Sequence, residues 1–394
     1  EGSPAAEAGL QAGDIIMEIN GKDMAQGDRT PNELTSYVSD NLRGDPGTTC
    51  VLKLERPTAD STYIPMELKI TRGTIRTNPV PYYGMVDKNI GYIAISTFAI
   101  EGCSKDIKKA LIELKQQGAT SIVLDLRGNG GGLLSEAVNV VNFFVPKGKE
   151  IVVTKGKIKQ AGSTYKTSNE PIDMEIPLTV LVDGATASAA EIVSGSLQDL
   201  DRAVIVGNRT YGKGLVQVPR ELPYNSSMKV TTAKYYIPSG RCIQAIDYAK
   251  RNADGSVARI PDSLTTVFHT AAGREVRDGG GIRPDVEVKA ERFPNIMFYL
   301  LNDDMIFDYA TQYCIKHPNI GEVKDFSVTD ADYDDFKQML KKRNFTYDRQ
   351  SEKSLKNLKE IAEFEGYMEG ASEEFAALEL SLIHISEPTR PRLI

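Results

Sequence analysis

Ser188 in "TASAAEI" (186–192) and Lys213 in "YGKGLVQ" (211–217) are a hydroxyl and an amine of the kind that can do acyl-transfer chemistry without histidine. Ser188 follows an apolar run, Leu178 to Val182, and a turn of small residues, Gly184-Ala185-Thr186-Ala187. It stands at the head of the next helical segment. In α/β proteins the C-terminal ends of strands are where ligands bind, and a helix N-terminus offers free N–H groups and partial positive charge to an oxyanion. The same place also suits an ordinary N-cap serine. Lys213 lies between Gly212 and Gly214. Bare neighbours let another segment come close, and a lysine kept from water holds its proton less tightly and can act as a base near neutral pH. A hairpin lysine kept for solubility would read the same way. Gln217 comes four residues later. In a strand, Lys213, Leu215 and Gln217 share one face, so the amide can orient the amine or simply face water.

The third element is "DLRGNGGG" (125–132), where four glycines and an asparagine directly follow an apolar run. Such a loop exposes backbone N–H groups that can hold an oxyanion or a phosphate. Three consecutive glycines are costly to order, which argues against a plain connecting turn. "GNRTYGKG" (207–214) comes close to a phosphate loop, but Gly214 stands where a Ser or Thr would hold Mg²⁺, and "LVQV" after it reads as a strand and not a helix.

These residues need a scaffold, and the patterning supplies one. "IGYIAIST" (90–97), "SIVLDL", "PLTVLVD" and "AVIVG" are apolar, strand-like runs. Between them, "SKDIKKALIELKQQG" places Ile107, Ala110, Leu111 and Leu114 at helical spacing, with Ser104 as N-cap candidate and Gly118 as stop. "LLSEAVNVVNFF" and "AAEIVSGSLQDL" are two more helices. The alternation predicts an α/β core with strands covered by helices. Residues 1–75 read as a small β-rich module, with a strong turn at Asn20-Gly21. From about residue 290 the hydrophobic period becomes helical.

Composition narrows the function classes. The 394 residues suffice for two or three domains. A net charge of −7 argues against a dedicated nucleic-acid binder, and no apolar run is long enough to span a bilayer. Cys50, Cys103, Cys242 and Cys314 form no CxxC pair, which speaks against a zinc site or a disulfide framework. With only His269, His317 and His384, a histidine-based site has few candidates. The first residue is Glu, so the true N-terminus is expected to lie upstream.

Taken together, the motifs resemble those of the carboxyl-terminal processing peptidases, the tail-specific serine proteases, over roughly residues 1–290. "SPAAEAGLQAGDIIMEINGKDM" is similar to the second half of their PDZ domain, "LDLRGNGGG" to their Arg-x-Asn-x-Gly-Gly loop, and "TASAAEI" to their serine motif. "IPSGRCIQ" (237–244) and "GGGIRPDVEV" (279–288) also resemble family text. The resemblance implies a crotonase-like α/β catalytic core, with Ser188 as nucleophile, Lys213 as general base and Gln217 in support. It implies an oxyanion hole from Gly131 or Gly132 and the Ala189 amide, endopeptidase cleavage near protein C-termini, and neither metal nor cofactor. The helical C-terminal part looks like the extended type of Gram-negative envelopes, which implies a periplasmic location. Gly130 stands where many members have Pro, and Ala190 where they have a further Ser. The first PDZ strand and the loop that grips a substrate carboxylate would lie before Glu1.

The domains expected are 1–75 partial PDZ, 76–290 catalytic, 291–379 helical and 380–394 a non-native tail. "LSLIHISEPTR" in that tail resembles the translation of a transposase-type sequencing adapter, so the native frame is expected to end near Glu379. The expected partners are protein or peptide substrates and no nucleic acid, with homo-oligomerisation left open. Two other readings compete: a PDZ scaffold that binds peptide termini without cutting, and an enoyl-thioester hydratase on a crotonase-type core. The first would be expected to lack Ser188 or Lys213, and the second leaves the PDZ-like text unexplained.

Overall fold

The computed structural model describes residues 2–60, 62–75, 77–157, 162–251, 257–289, 293–321, 325–348 and 350–385. The chain divides into two compact units, residues 76–290 and residues 1–75 with 291–394.

The N-terminal part contains α1 (Pro4–Glu7), β1 (Ile15–Ile19), β2 (Lys22–Asp23), α2 (Pro31–Leu42), β3 (Thr49–Pro57) and β4 (Tyr63–Thr71). The strands pair antiparallel in the order β2-β1-β3-β4. Alternation along β3 turns Cys50 and Leu52 inward onto Ile19 and Ile70, and Tyr37 and Val38 of α2 cover them. Sequence analysis did not assign α2, although Thr30 and Glu33 form a capping box around Pro31 at its start.

The central unit runs β5 (Tyr82–Asp87), β6 (Ile90–Ala94), α3 (Cys103–Gln116), β7 (Ser121–Asp125), α4 (Leu134–Asn142), β8 (Glu150–Gly156), β9 (Ser163–Lys166), β10 (Leu178–Val182), α5 (Ala189–Asp199), β11 (Val204–Gly207), β12 (Leu215–Leu222), β13 (Ser226–Tyr236), β14 (Ile246–Arg251), β15 (Val257–Arg259), β16 (Val267–His269), β17 (Glu275–Arg277) and β18 (Val286–Glu287). Its main sheet has the order β18-β11-β10-β7-β6-β5. Every neighbouring pair is parallel except β5 with β6. Parallel strands require long crossover connections, usually helices, and α3, α4 and α5 lie in those that join β6, β7, β10 and β11. Every residue of α5 is buried, so Ile192, Val193 and Leu197 bind it to the core, at about 1.5–3 kcal/mol per large apolar side chain.

A second sheet, β12-β13-β8-β9, carries the long hairpin that follows Lys213. Val216 faces Ala233 and Gln217 faces Thr231, which leaves Thr232 as an extra residue on β13. Burial follows the slip, for Ala233, Tyr235 and Ile237 are buried while Lys234 is exposed.

The N-cap expected at Ser104 is corrected. α3 starts at Cys103 after Gly102, because the Glu136 carboxylate of α4 accepts the N–H groups of Gly102 and Ser104, each at 2.9 Å. An acid from a neighbouring helix replaces the local cap. Gly118, with φ +97°, ends the helix as expected.

The C-terminal segment holds α6 (Asn295–Asn302), α7 (Met305–Lys316), α8 (Asp330–Lys342), α9 (Gln350–Phe364) and α10 (Met368–Ile385). Leu355 and Ala362 of α9 pack on Phe375 of α10. α10 does not stop at Glu379, because no Gly or Pro interrupts residues 380–385. Residues 386–394 of the expected tail lie outside the described residues. No helix among the described residues is long and apolar enough to cross a membrane.

Candidate active site

Ser188 follows the β10 turn and occupies the N-cap position of α5. The turn is tied down at both ends. Asp183 accepts the N–H groups of Ala185 and Thr186 and, from the glycine loop, that of Gly128. The Thr186 hydroxyl donates to the Leu126 carbonyl at 2.8 Å. Ser188 itself has φ +58° and ψ −117°, a region that costs an L-residue about 1–3 kcal/mol. A strained serine on a tight strand-to-helix turn is the backbone arrangement of a nucleophile elbow.

The glycine loop lies directly against this turn. Asn129 is fully buried. Its amide donates to the Ile95 carbonyl, and its own carbonyl accepts the Ala187 N–H at 2.9 Å. A Cβ on Gly131 would lie 2.8 Å from Ser188 Cβ and from the Ala189 nitrogen, and one on Gly132 would lie 2.1 Å from the Ala99 nitrogen. The two are therefore glycine because backbone runs past backbone. Gly131 donates its N–H to Asn129 Oδ1 at 2.9 Å. Among the described residues, the N–H groups of Gly132 and Ala189 have no partner. Gly131→Ala, at φ +94°, is expected to cost about 2–4 kcal/mol. Thermal denaturation of the purified variant measures this.

Lys213 is held just as firmly. A Cβ on Gly212 would lie 2.3 Å from Ala245 Cβ, and one on Gly214 would lie 2.8 Å from the Gln244 nitrogen. The close approach expected of the flanking glycines is thus made by the segment "IPSGRCIQ" and the residue after it. Gln244 Oε1 accepts the Gly214 N–H at 2.7 Å, and the Ala245 N–H donates to the Gly212 carbonyl.

One side chain that sequence analysis did not single out joins the two loops. Glu191 is fully buried. Its Oε2 accepts the Ser188 N–H at 2.9 Å and the Lys213 N–H at 2.8 Å. Its Oε1 accepts the Gly212 N–H at 2.7 Å and the Thr210 hydroxyl at 2.5 Å. Burial pushes this carboxyl up from its ordinary value, opposed by the hydrogen bonds donated from Thr210, Lys213, Ser188 and Gly212. The sequence signal was available: Ser188-Ala189-Ala190-Glu191 is the S-x-x-E pattern of a capping box.

A cavity of about 590 Å³ opens beside these loops. Lys213, Leu215 and Gln217 all line it, although β12 begins only at Leu215 and Lys213 lies in the loop before it. Tyr211, Ile246 and Tyr248 add apolar surface, and Ala187 brings the serine turn to its edge. No hydrogen bond joins Ser188 Oγ to Lys213 Nζ. Among the described residues, neither Lys213 Nζ nor the exposed Gln217 amide has a partner. The site thus combines a serine on a strained turn, a lysine lining the cavity beside that turn, and two N–H groups without partners among the described residues. Those are the parts of histidine-free acyl transfer.

Comparison with known proteins identifies the family. The model for "Peptidase family S41" matches residues 89–250, a PDZ domain model matches residues 1–56, and the C-terminal helical domain of a PDZ-protease matches residues 296–387. The chain belongs to peptidase family S41. It is 39% identical over 250 residues to the carboxy-terminal-processing protease of Bartonella bacilliformis, covering 62% of this chain and 54% of that one. It is also 39% identical over 240 residues to the carboxyl-terminal-processing protease of Picosynechococcus, covering 60% and 55%. The chain thus spans about half the length of these curated relatives. A solved structure, the photosystem II D1 C-terminal processing protease, is 30% identical with a TM-score of 0.41, covering 75% of this chain and 67% of that one.

Proposed function

We propose that the chain is a serine endopeptidase that cleaves proteins near their C-termini through Ser188 and Lys213. The observation that carries this reading is the buried Glu191 carboxylate, which holds the Ser188 and Lys213 N–H groups on a single oxygen. Two loops that are distant in sequence are kept side by side for a purpose that core packing alone does not need.

In the proposed reaction, the neutral Lys213 amine takes the proton from Ser188 Oγ as that oxygen attacks the scissile carbonyl carbon. The carbonyl oxygen becomes an oxyanion, stabilised by the Ala189 N–H and a glycine-loop N–H at about 3–4 kcal/mol per donor. We assign the second donor to Gly132, since Gly131 spends its N–H on Asn129. The C–N bond then breaks, and the Lys213 ammonium protonates the leaving amine. Water attacks the resulting ester while Lys213 takes its proton, and the proton returns to Ser188 Oγ as the acid product leaves. Hydroxyl and amine are not yet bonded here, and catalytic hydrogen bonds commonly tighten once substrate is bound. Gln217 orients the amine from the same cavity. The PDZ module delivers substrate tails by strand addition. The site of action is the periplasm or cell envelope.

The test is incubation with an unstructured protein, followed by mass analysis of the fragments. Ser188-dependent cleavage close to the C-terminus supports the reading. Peptide binding without cleavage favours the scaffold, and turnover of an enoyl thioester favours the hydratase. Gln217→Ala is expected to lower kcat about tenfold with little change in folding, because it removes a positioning group at an exposed site. Steady-state kinetics on a fluorogenic peptide measure it.

A further inference from the structure

Tyr235 is 2% exposed on β13 and reaches inward beneath both loops of the site. Its hydroxyl donates to the Lys213 carbonyl and lies 3.4 Å from the Ser188 carbonyl. Its own N–H donates to the Gly214 carbonyl at 3.1 Å, which fixes the ring's backbone to the lysine loop. The carbonyls of the two reactive residues therefore meet at one oxygen atom. Glu191 holds the N–H groups of the same two residues. Glu191 is fixed to α5, whereas Tyr235 belongs to the second sheet, so its hydroxyl links the carbonyls of the serine and lysine positions to β13.

We infer that Tyr235 is a positioning residue that sets the separation of Ser188 and Lys213 through its hydroxyl. This rests on the proposed peptidase reading of the same site. The hydroxyl has a single proton. In the resting arrangement it goes to the Lys213 carbonyl, with the Ser188 carbonyl as second acceptor within reach. Burial, and next the nearby Glu191 carboxylate, raise the phenol well above its ordinary value, so the group stays a donor across the working pH range. A core tyrosine kept only for its ring would not need its oxygen at this junction, since phenylalanine fills nearly the same space.

The experiment compares wild type with Tyr235→Phe, well below the melting temperature of either. The expected result is a fall in kcat of about 10- to 100-fold with KM unchanged. Labelling of Ser188 by a fluorophosphonate probe should slow by a similar factor. 4-Aminophenylalanine at position 235 restores a donor at the same place and is expected to recover most of kcat, a rescue that a packing role would not produce. Wild-type kcat and labelling rates in Tyr235→Phe overturn the inference while leaving the peptidase reading intact. So does a loss that the amino analogue fails to recover. If wild type itself shows no Ser188-dependent cleavage, both the reading and this inference fail.

Discussion

Lys213→Ala is expected to lower kcat/KM for peptide cleavage by about 10⁴-fold or more while leaving the fold intact. Ser188→Ala should do the same, and the double variant should cost little beyond either single change. Residues acting as one unit lose their effect together and not additively. The structural cost at Lys213 is small, since the loop is held through its backbone: the N–H goes to Glu191, the carbonyl to Tyr235, and the flanking glycines pack on Gln244 and Ala245. Removing the side chain deletes only the amine and its stem. Lys213→Arg should be nearly as inactive, because a guanidinium does not give up its proton. Steady-state kinetics with circular dichroism as the folding control decide the matter. A Lys213→Ala enzyme with near wild-type turnover would remove lysine from the mechanism.

Glu191→Gln is expected to have the second-largest effect, and it acts on folding as well as on rate. Four donors converge on the carboxylate. A glutamine presents one oxygen and one NH₂, so half of those donors would face another donor. Leaving buried donors unsatisfied costs about 1–3 kcal/mol each, and about 3–5 kcal/mol in total is a reasonable scale for breaking a buried charged network. For a unit of this size that corresponds to a drop in Tm of roughly 10 °C. The Ser188 turn is strained, so losing the anchor should also let it relax, and probe labelling should fall more than the melting temperature alone would suggest. Unchanged stability and labelling would show that the carboxylate is not the tie between the loops.

Much of the site is visible in the sequence because its cues are local. Ser188 among small residues, Lys213 between glycines and the run at 130–132 each carry their own evidence. The strands at 121–125 and 178–182 are mostly apolar runs, as parallel, doubly covered strands tend to be. Glu191 was passed over because its partners Thr210, Gly212 and Lys213 lie 19 to 22 residues downstream. Tyr235 was missed for the same reason, at separations of 47 and 22 residues from its two acceptors. The start of α3 was misplaced because its cap comes from Glu136, more than 30 residues away. Ser104 offered a local answer, and a distant carboxylate displaced it. The N–H of Gly131 could not be known to be occupied without knowing where Asn129 folds.

Thr232, the unmatched residue on β13, has a consequence for engineering. A strand's two faces alternate, so the parity of the chain decides which residues look inward. The extra position reverses that parity between the solvent end of the hairpin and the end beside Lys213, and so lets Tyr235 face the loops. Excising Thr232 alone, or grafting a hairpin one residue shorter, would restore even counting and swing the phenol toward water. Trimming the hairpin by matched pairs, such as Leu222 with Ser226 next to the turn at residues 223–225, would leave the phase intact.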